Sequence, residues 1–401
     1  MSLNAERSYK MKLRDVENAF KYRRIPYPKR SVELIALLAI SCTFFLFMHT
    51  NKLNSRLKEM EVKLQPSEFS ALGLTGNHIS GHDAGKHDDI NTLHGTYQYL
   101  KSTGQLGRLN LMNLNNTRYS SADIVVFNRP TRVDSEQVLP LLRQLAAMND
   151  INVVLNGPVR TMNRTRTEME QLIESEWASE LESGSIYMAH SNWLDFPNFG
   201  YKKPIYISLV KDPIDRMVSD FYKRRSLVKR AIYRRMYPGR RERSEEWYQQ
   251  SFNECVRSGS PECLFVQYSV ADYIQDFKRQ TLYFCGNSED CLPFNSHFAT
   301  QVAKQRVEKE YSVVGTWEER NITLTVLEKY VPRFFNHARF LHKLHSKSIR
   351  NRNRNNRKPH IDPDVREMVR RNFTNEYEFY YFCKQRLYKQ YLALQLENNL
   401  H

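Results

Sequence analysis

Three short stretches collect the residue types needed to handle an anionic group. His190 lies in Tyr187-Met188-Ala189-His190-Ser191-Asn192-Trp193-Leu194-Asp195-Phe196. Imidazole titrates near neutrality, so a histidine in a cleft is a candidate general base, although most lone histidines are structural. The stretch from Lys211 to Ser219 reads Lys-Asp-Pro-Ile-Asp-Arg-Met-Val-Ser. Asp212 is placed to cap a helix and Pro213 to open it. Lys211 then ends the preceding strand and Ser219 lies two turns into the helix. An ammonium and a hydroxyl so placed can hold a phosphate, and an ordinary well-capped helix would read the same. The third stretch runs from Asn128 to Gln137 and contains Arg129, Arg132, Val133, Asp134, Ser135 and Glu136. A loop that opens a helix points backbone N–H groups at whatever lies above it. Arg129 and Arg132 add positive charge, Asp134 and Glu136 oppose it, and no glycine lets the backbone wrap an anion.

These residues need a frame that brings them to one edge. Ile124–Phe127 is a short apolar run followed by turn residues and reads as a buried strand. A helix follows with Val138, Leu141, Leu142 and Leu145 on one face. Ile151–Leu155 is a second strand, Thr167–Leu181 a helix, and Ile205–Val210 another strand. A helix from Pro213 to about Arg225 comes next. Ala299–Glu310, Ile322–Tyr330 and Pro363–Leu396 read as mostly helical. Strands alternating with helices imply a parallel sheet covered on both faces, with ligands beyond the carboxyl ends of the strands.

The remainder of the chain places this α/β domain. Leu34–Met48 is almost wholly apolar, and Lys21, Arg23, Arg24, Lys29 and Arg30 precede it. The pattern predicts a cytosolic tail over residues 1–31, a short membrane anchor over 32–49, a stem over 50–119 and a luminal domain over 120–401. Gly73–Asp88, with His78, His82 and His87, reads as a solvated linker and not a metal site. Cys255 and Cys263 are eight residues apart, Cys285 and Cys291 six, a spacing unlike zinc ligands and suited to an oxidising compartment. Sequons at Asn115, Asn163, Asn321 and Asn372 all follow the anchor. The net charge of +16 attracts anions such as nucleic acid, anionic lipid, sulfated glycan or a phosphorylated cofactor. The anchor and the paired cysteines disfavour nucleic acid.

From Ser120 to Leu396 the chain resembles the uronyl and heparan sulfate 2-O-sulfotransferases. The resemblance rests on Val-Val-Phe-Asn-Arg at 125–129, His-Ser-Asn-Trp-Leu-Asp-Phe at 190–196 and the run from Lys203 to Ser219. Asn-Glu-Cys…Glu-Cys at 253–263, Phe-Cys-Gly-Asn-Ser-Glu-Asp-Cys at 284–291 and Asn-Glu-Tyr-Glu-Phe-Tyr at 375–380 extend it, in matching order and spacing. It implies a P-loop-like sulfotransferase fold, the sulfonate donor PAPS (3′-phosphoadenylyl sulfate), a Golgi-lumen location, a glycan or proteoglycan acceptor and no metal. A homo-oligomer is compatible with it. It makes His190 the catalytic base. It assigns Arg132, Val133, Asp134, Ser135, Glu136 and Gln137 to the 5′-phosphosulfate loop, and Lys211 and Ser219 to the 3′-phosphate. It also assigns Ser348 and Arg350 to a loop closing over the nucleotide, and Arg129 to the acceptor. Cys255–Cys263 and Cys285–Cys291 fall on the family's disulfides. Arg224 and Arg225, with the basic run to Arg235, are candidates to gather a polyanionic acceptor.

The phosphosulfate loop departs from the family's pattern. Arg132 stands where the family has lysine, Val133 at the next position, and Asp134 where it has a small residue; Ser135 is retained. Met188 replaces a basic residue two positions before His190, and Lys211 replaces an arginine. Arginine presents a planar fork and not a point charge. Two readings therefore stand: a working 2-O-sulfotransferase, or a weakened relative that binds sulfated glycan or a partner enzyme.

Overall fold

The computed structural model describes residues 90–121, 123–155, 183–266, 278–344 and 359–398, with Met48 alone before them. The expected anchor apart from Met48, residues 50–89 of the expected stem, the helix over Thr167–Leu181, Asn163, Ser348 and Arg350 lie outside those residues. Among the described residues no helix is long and apolar enough to cross a membrane. The elements below belong to the unit Gly76–His401.

Five parallel strands form one sheet in the order β2-β3-β1-β4-β5: β1 Ile124–Asn128, β2 Asn152–Leu155, β3 Ser185–Ala189, β4 Ile205–Val210 and β5 Tyr311–Thr316. The inner strands are apolar runs buried on both faces, as a sheet covered by helices requires. The helices of ten residues or more are α1 Leu93–Ser102, α2 Ser135–Asn149, α3 Pro213–Arg224, α4 Leu227–Met236, α5 His297–Lys309, α6 Arg320–Tyr330, α7 Pro363–Asn372 and α8 Thr374–Asn398. Val125, Phe127, Leu142, Leu145, Ile186, Val313, Val326, Phe334 and Leu387 meet in one core. Buried apolar area of this kind is the main favourable term in folding.

Most expected elements form within a residue or two of their expected ends. Two strands, β3 and β5, are absent from the expectations. β5 reads Tyr-Ser-Val-Val-Gly-Thr, too polar and glycine-containing a run to stand out as a buried strand. Gln390 Nε2 of α8 donates to the Ser312 carbonyl at 2.7 Å. A Cβ on Gly315 would lie 2.2 Å from Thr323, so helix α6 approaches there only because the strand carries glycine. The long C-terminal helix is broken at Phe373 into α7 and α8. The folded body also begins by residue 90, inside the stretch expected as stem. Thr92 caps α1, Leu100 is fully buried, and Gln385 of α8 reaches Asn91 at 3.0 Å.

The order of the strands decides where the site must be. The chain leaves β1 toward β2 on one side and leaves β4 toward β5 on the other. Their carboxyl ends therefore open a crevice between connections that run in opposite directions, the usual seat of a ligand in such sheets.

Candidate active site

His190 and Arg129 are placed by strand register. Asn128 pairs with Ala189, so the residue after each lies side by side just beyond the sheet. The Arg129 amide donates to the Ala189 carbonyl at 2.8 Å, continuing the ladder by one rung. The Arg129 carbonyl then accepts from His190 Nδ1 at 2.8 Å, and Arg129 Nη2 donates to His190 Nε2 at 2.7 Å. A carbonyl can only accept and a guanidinium only donate. The imidazole is therefore neutral, with its proton on Nδ1 and its lone pair on Nε2. Burial, then the charge of Arg129, pushes the His190 pKa down to about 4, against the opposing pull of the Arg129 carbonyl. Burial also lowers the Arg129 pKa.

The loop after His190 is held from below by the segment between the cysteines. The Trp193 amide donates to the Tyr283 carbonyl at 2.8 Å, and Asn192 Nδ2 reaches the Gly286 carbonyl at 3.2 Å. Arg306 donates to the Cys285 carbonyl and lies over the Trp193 ring at 3.9 Å. Cys285 is bonded to Cys291, and Cys255 to Cys263. The first disulfide so braces the histidine loop from a segment about 90 residues away in sequence.

The other side of β1 carries the loop from Arg129 to Asp134. Arg132 and Asp134 both adopt left-handed backbone, with φ of 64° and 58°. Each costs a non-glycine residue about 1 kcal/mol. Arg216, 1% exposed, secures the turn by donating from Nε to the Thr131 carbonyl at 2.7 Å and from Nη2 to its hydroxyl at 3.2 Å. Asp134 stands at the N-cap of α2 but makes no side-chain cap. Its carboxylate instead accepts from the buried ammonium of Lys211 at the end of β4. The start of α2 therefore has no side-chain cap, whereas Asp212 caps α3 by accepting from the Asp215 amide at 2.9 Å.

Arg132 and Lys223, beside this helix start, have internal counter-ions. Arg132 Nε bonds Asp220 at 3.3 Å and its Nη1 lies 3.8 Å from Glu136. Lys223 reaches Glu136 at 3.3 Å. Burial opposes the ionisation of Glu136, but Lys223 and then Arg132 bring its pKa below the usual value. Gln137 Oε1 accepts from Trp317 Nε1 at 2.8 Å, tying α2 to the end of β5. Val133 is buried in the core, Ser135 is buried at the first position of α2, and Ser219 lies half-buried on α3 beside Asp220.

A family model described as "Sulfotransferase family" covers residues 101–382. The chain belongs to the sulfotransferase family. It is 45% identical to the uronyl 2-sulfotransferase homolog pip of Drosophila melanogaster, over 98% of this chain and 95% of that protein. It is 30% identical to heparan sulfate 2-O-sulfotransferase 1 of Xenopus laevis over 65% of this chain and 69% of that one. For uronyl 2-sulfotransferase of Homo sapiens the identity is 28%, over 66% and 62%.

In this sulfotransferase, His190, Arg129, Arg132, Asp134 and Lys211 gather at the carboxyl edge of β3, β1 and β4. Arg224 and Arg225 do not stand free for an acceptor. Arg224 bonds Asp220 at 2.8 Å and Glu262 at 3.0 Å, and Arg225 bonds Glu262 and lies over Phe221 and Trp247 at 3.5 and 4.0 Å. They brace α3 against the Cys255–Cys263 segment. Asn321 and Asn372 are exposed, and Asn115 accepts from the Thr117 amide at 3.0 Å in a local turn. Among the described residues no cluster of metal-ligating side chains occurs. Arg216 and Asp220 shape the loop without being legible beforehand. Their helical spacing of four places both on the side of α3 facing the loop, whereas the sequence singles out Ser219 and Arg224 on that helix.

Proposed function

We propose that this chain is a Golgi type II membrane sulfotransferase, anchored by residues 32–49 after a cytosolic tail of residues 1–31. Its domain in the lumen transfers sulfonate from PAPS to the 2-O of a uronic acid in a glycosaminoglycan or related glycan. The observation that carries the reading is the neutral His190, held through Nδ1 by the Arg129 carbonyl and with the Nε2 lone pair facing the Arg129 guanidinium. His190 lies one strand away from the uncapped start of α2, and two strands away from the buried Lys211 at the end of β4. A base beside an anion cradle is what proton removal from a hydroxyl, coupled to transfer of an anionic group, requires.

The residues around the start of α2 fit a phosphate in kind: the first-turn amides of a 15-residue helix, the Lys211 ammonium and the Arg132 guanidinium. Carboxylates now hold both cations, so a phosphate enters by replacing Asp134 at Lys211. PAPS, when bound, supplies a sulfonate on a phosphate leaving group. Lys211, Arg132, Ser135 and Ser219 hold the phosphates, and Ser348 and Arg350 belong to the loop over the nucleotide. His190 Nε2 takes the proton of the acceptor hydroxyl. Its Nδ1–H stays on the Arg129 carbonyl, which fixes the ring and steadies the imidazolium that forms. Arg129 faces the acceptor.

The Asp134–Lys211 pair favours a second reading, a weakened relative that binds sulfated glycan or a partner enzyme. Labelled sulfonate transfer from PAPS to heparosan and chondroitin by the detergent-solubilised full chain decides between them. Transfer abolished by His190→Ala supports the enzyme. Calorimetric binding of 3′-phosphoadenosine 5′-phosphate (PAP) without transfer supports the second reading. Absence of both overturns the enzyme reading altogether.

A further inference from the structure

Arg129 occupies the one atom of His190 that a base must have free. Its Nη2 donates to Nε2 at 2.7 Å, and the backbone already takes Nδ1. While that contact lasts, the lone pair is spoken for. A proton arriving on Nε2 would also face a guanidinium at hydrogen-bond distance. The base and its neighbour therefore cannot both keep their present positions during proton removal.

The guanidinium has reason to move. Its Nε is buried and finds no hydrogen-bond partner among the described residues. Its Nη2 spends a charged donor on a neutral acceptor. A carboxylate offered to the Nε–Nη edge would satisfy both donors in a bidentate ion pair, a stronger arrangement than the present one. Nearby carboxylates do not supply it: Glu136 is engaged by Lys223 and Arg132, and Asp220 by Arg132 and Arg224.

We propose that Arg129 is a specificity-determining latch: it closes the lone pair of His190 until a carboxylate on the acceptor sugar, beside the reacting hydroxyl, draws the guanidinium away. The acceptor thus turns on its own base. The hydroxyl proton then passes to Nε2, and the oxygen keeps the electron pair with which it bonds sulfur as the bond from sulfur to the phosphate oxygen of PAPS breaks. A sugar lacking the carboxylate binds without opening the latch, so discrimination falls on kcat and not only on KM. This inference rests on the sulfotransferase reading, and its test separates the two.

The test uses the full chain in detergent with heparosan and carboxyl-reduced heparosan as acceptors. The wild type should favour heparosan in kcat by roughly tenfold or more, as expected where a buried donor is left unsatisfied. Arg129→Gln should erase that kcat preference and raise the acid limb of the pH profile toward the ordinary histidine range. A preference confined to KM, or a kcat preference that survives Arg129→Gln, overturns the latch. A second readout needs no turnover: carbethoxylation of His190 by diethylpyrocarbonate, read by peptide mass spectrometry. The wild type should label severalfold more slowly than Arg129→Gln, and 0.1 M acetate, against chloride of equal ionic strength, should speed only the wild type. These are order-of-magnitude expectations for losing one charged hydrogen bond. Equal labelling, or no response to acetate, overturns the latch even if sulfonate transfer is intact. The labelling result stands if no acceptor is sulfated and the enzyme reading fails.

Discussion

The two flanks of β1 are built from similar parts and stand in opposite states. On the β3 side, a neutral imidazole faces a guanidinium, and among the described residues Arg129 Nη2 is the hydrogen-bond partner of the lone pair. On the β4 side, Lys211 and Arg132 each hold a carboxylate of the protein itself, Asp134 and Asp220. The first flank is ready for a proton once one contact opens. The second already contains an anion where a phosphate would be expected. Basic residues in a cleft therefore measure readiness poorly; what counts is whether each is matched internally. A matched cation offers an incoming anion only the difference between two ion pairs.

Breaking the ready flank should produce the largest effect. His190→Ala removes the base and should lower kcat by roughly 10²–10⁴-fold, with PAP affinity changed little. Transfer assays beside PAP calorimetry check both halves, and a variant retaining wild-type kcat would leave His190 a structural residue. Opening the matched flank should give the next effect. Asp134→Gly removes the carboxylate from Lys211 and suits the left-handed backbone at φ 58°. PAP should bind about tenfold tighter or more, the equivalent of one charged hydrogen bond no longer to be displaced. Unchanged affinity would show that Asp134 swings away without cost.

The contrast between the flanks also marks what was legible in the sequence. His190, Lys211 and the helix start at Asp212 and Pro213 were readable because their signals are local: a strand run, a cap, a proline at the first helical position. The opposing charges of Asp134 and Glu136 were visible, and so was the absence of glycine. Their pairing was not, since Asp134 meets a lysine 77 residues away and Arg132 an aspartate 88 residues away. β5 also looks too polar for a buried strand, and the side chains that meet its backbone, Gln390 at the Ser312 carbonyl and Thr323 at the Thr316 amide, lie on helices that follow it. Arg224 and Arg225 looked like an acceptor surface because Glu262 is remote in sequence. Long-range polar pairing, more than apolar patterning, separates the readable part of this chain from the rest.

The acidity of the ready flank sharpens the comparison further. With its pKa pushed down to about 4, His190 stays unprotonated through the whole mildly acidic range. The kcat/KM profile should remain level from pH 7.5 to about 5 and fall about tenfold per pH unit well below 4. A limb near 6.5 would mean that the ring is neither buried nor beside the Arg129 guanidinium. The sign for folding follows from the same shift. The unfolded chain binds the His190 proton more readily than the folded one. The neutral ring thus favours the fold fully above about pH 6.5, and this contribution is lost as pH falls through about 4.

The smallest effect should come from Arg132→Lys, the change that restores the family's residue type at the most conspicuous departure. Arg132 Nε is held by Asp220 and its Nη1 lies near Glu136, so the fork is shared between two carboxylates. Lysine would keep the charge, lose the fork, and still face Asp220, with the Asp134 carboxylate still on Lys211. The change should therefore alter PAP affinity and kcat by no more than about threefold, the scale of one partly exposed ion pair. Combined with Asp134→Gly it should add more than it does alone, since both residues line one turn and compete for one phosphate. A gain of tenfold or more from Arg132→Lys by itself would place the obstacle in the shape of the guanidinium and not in the matched carboxylates.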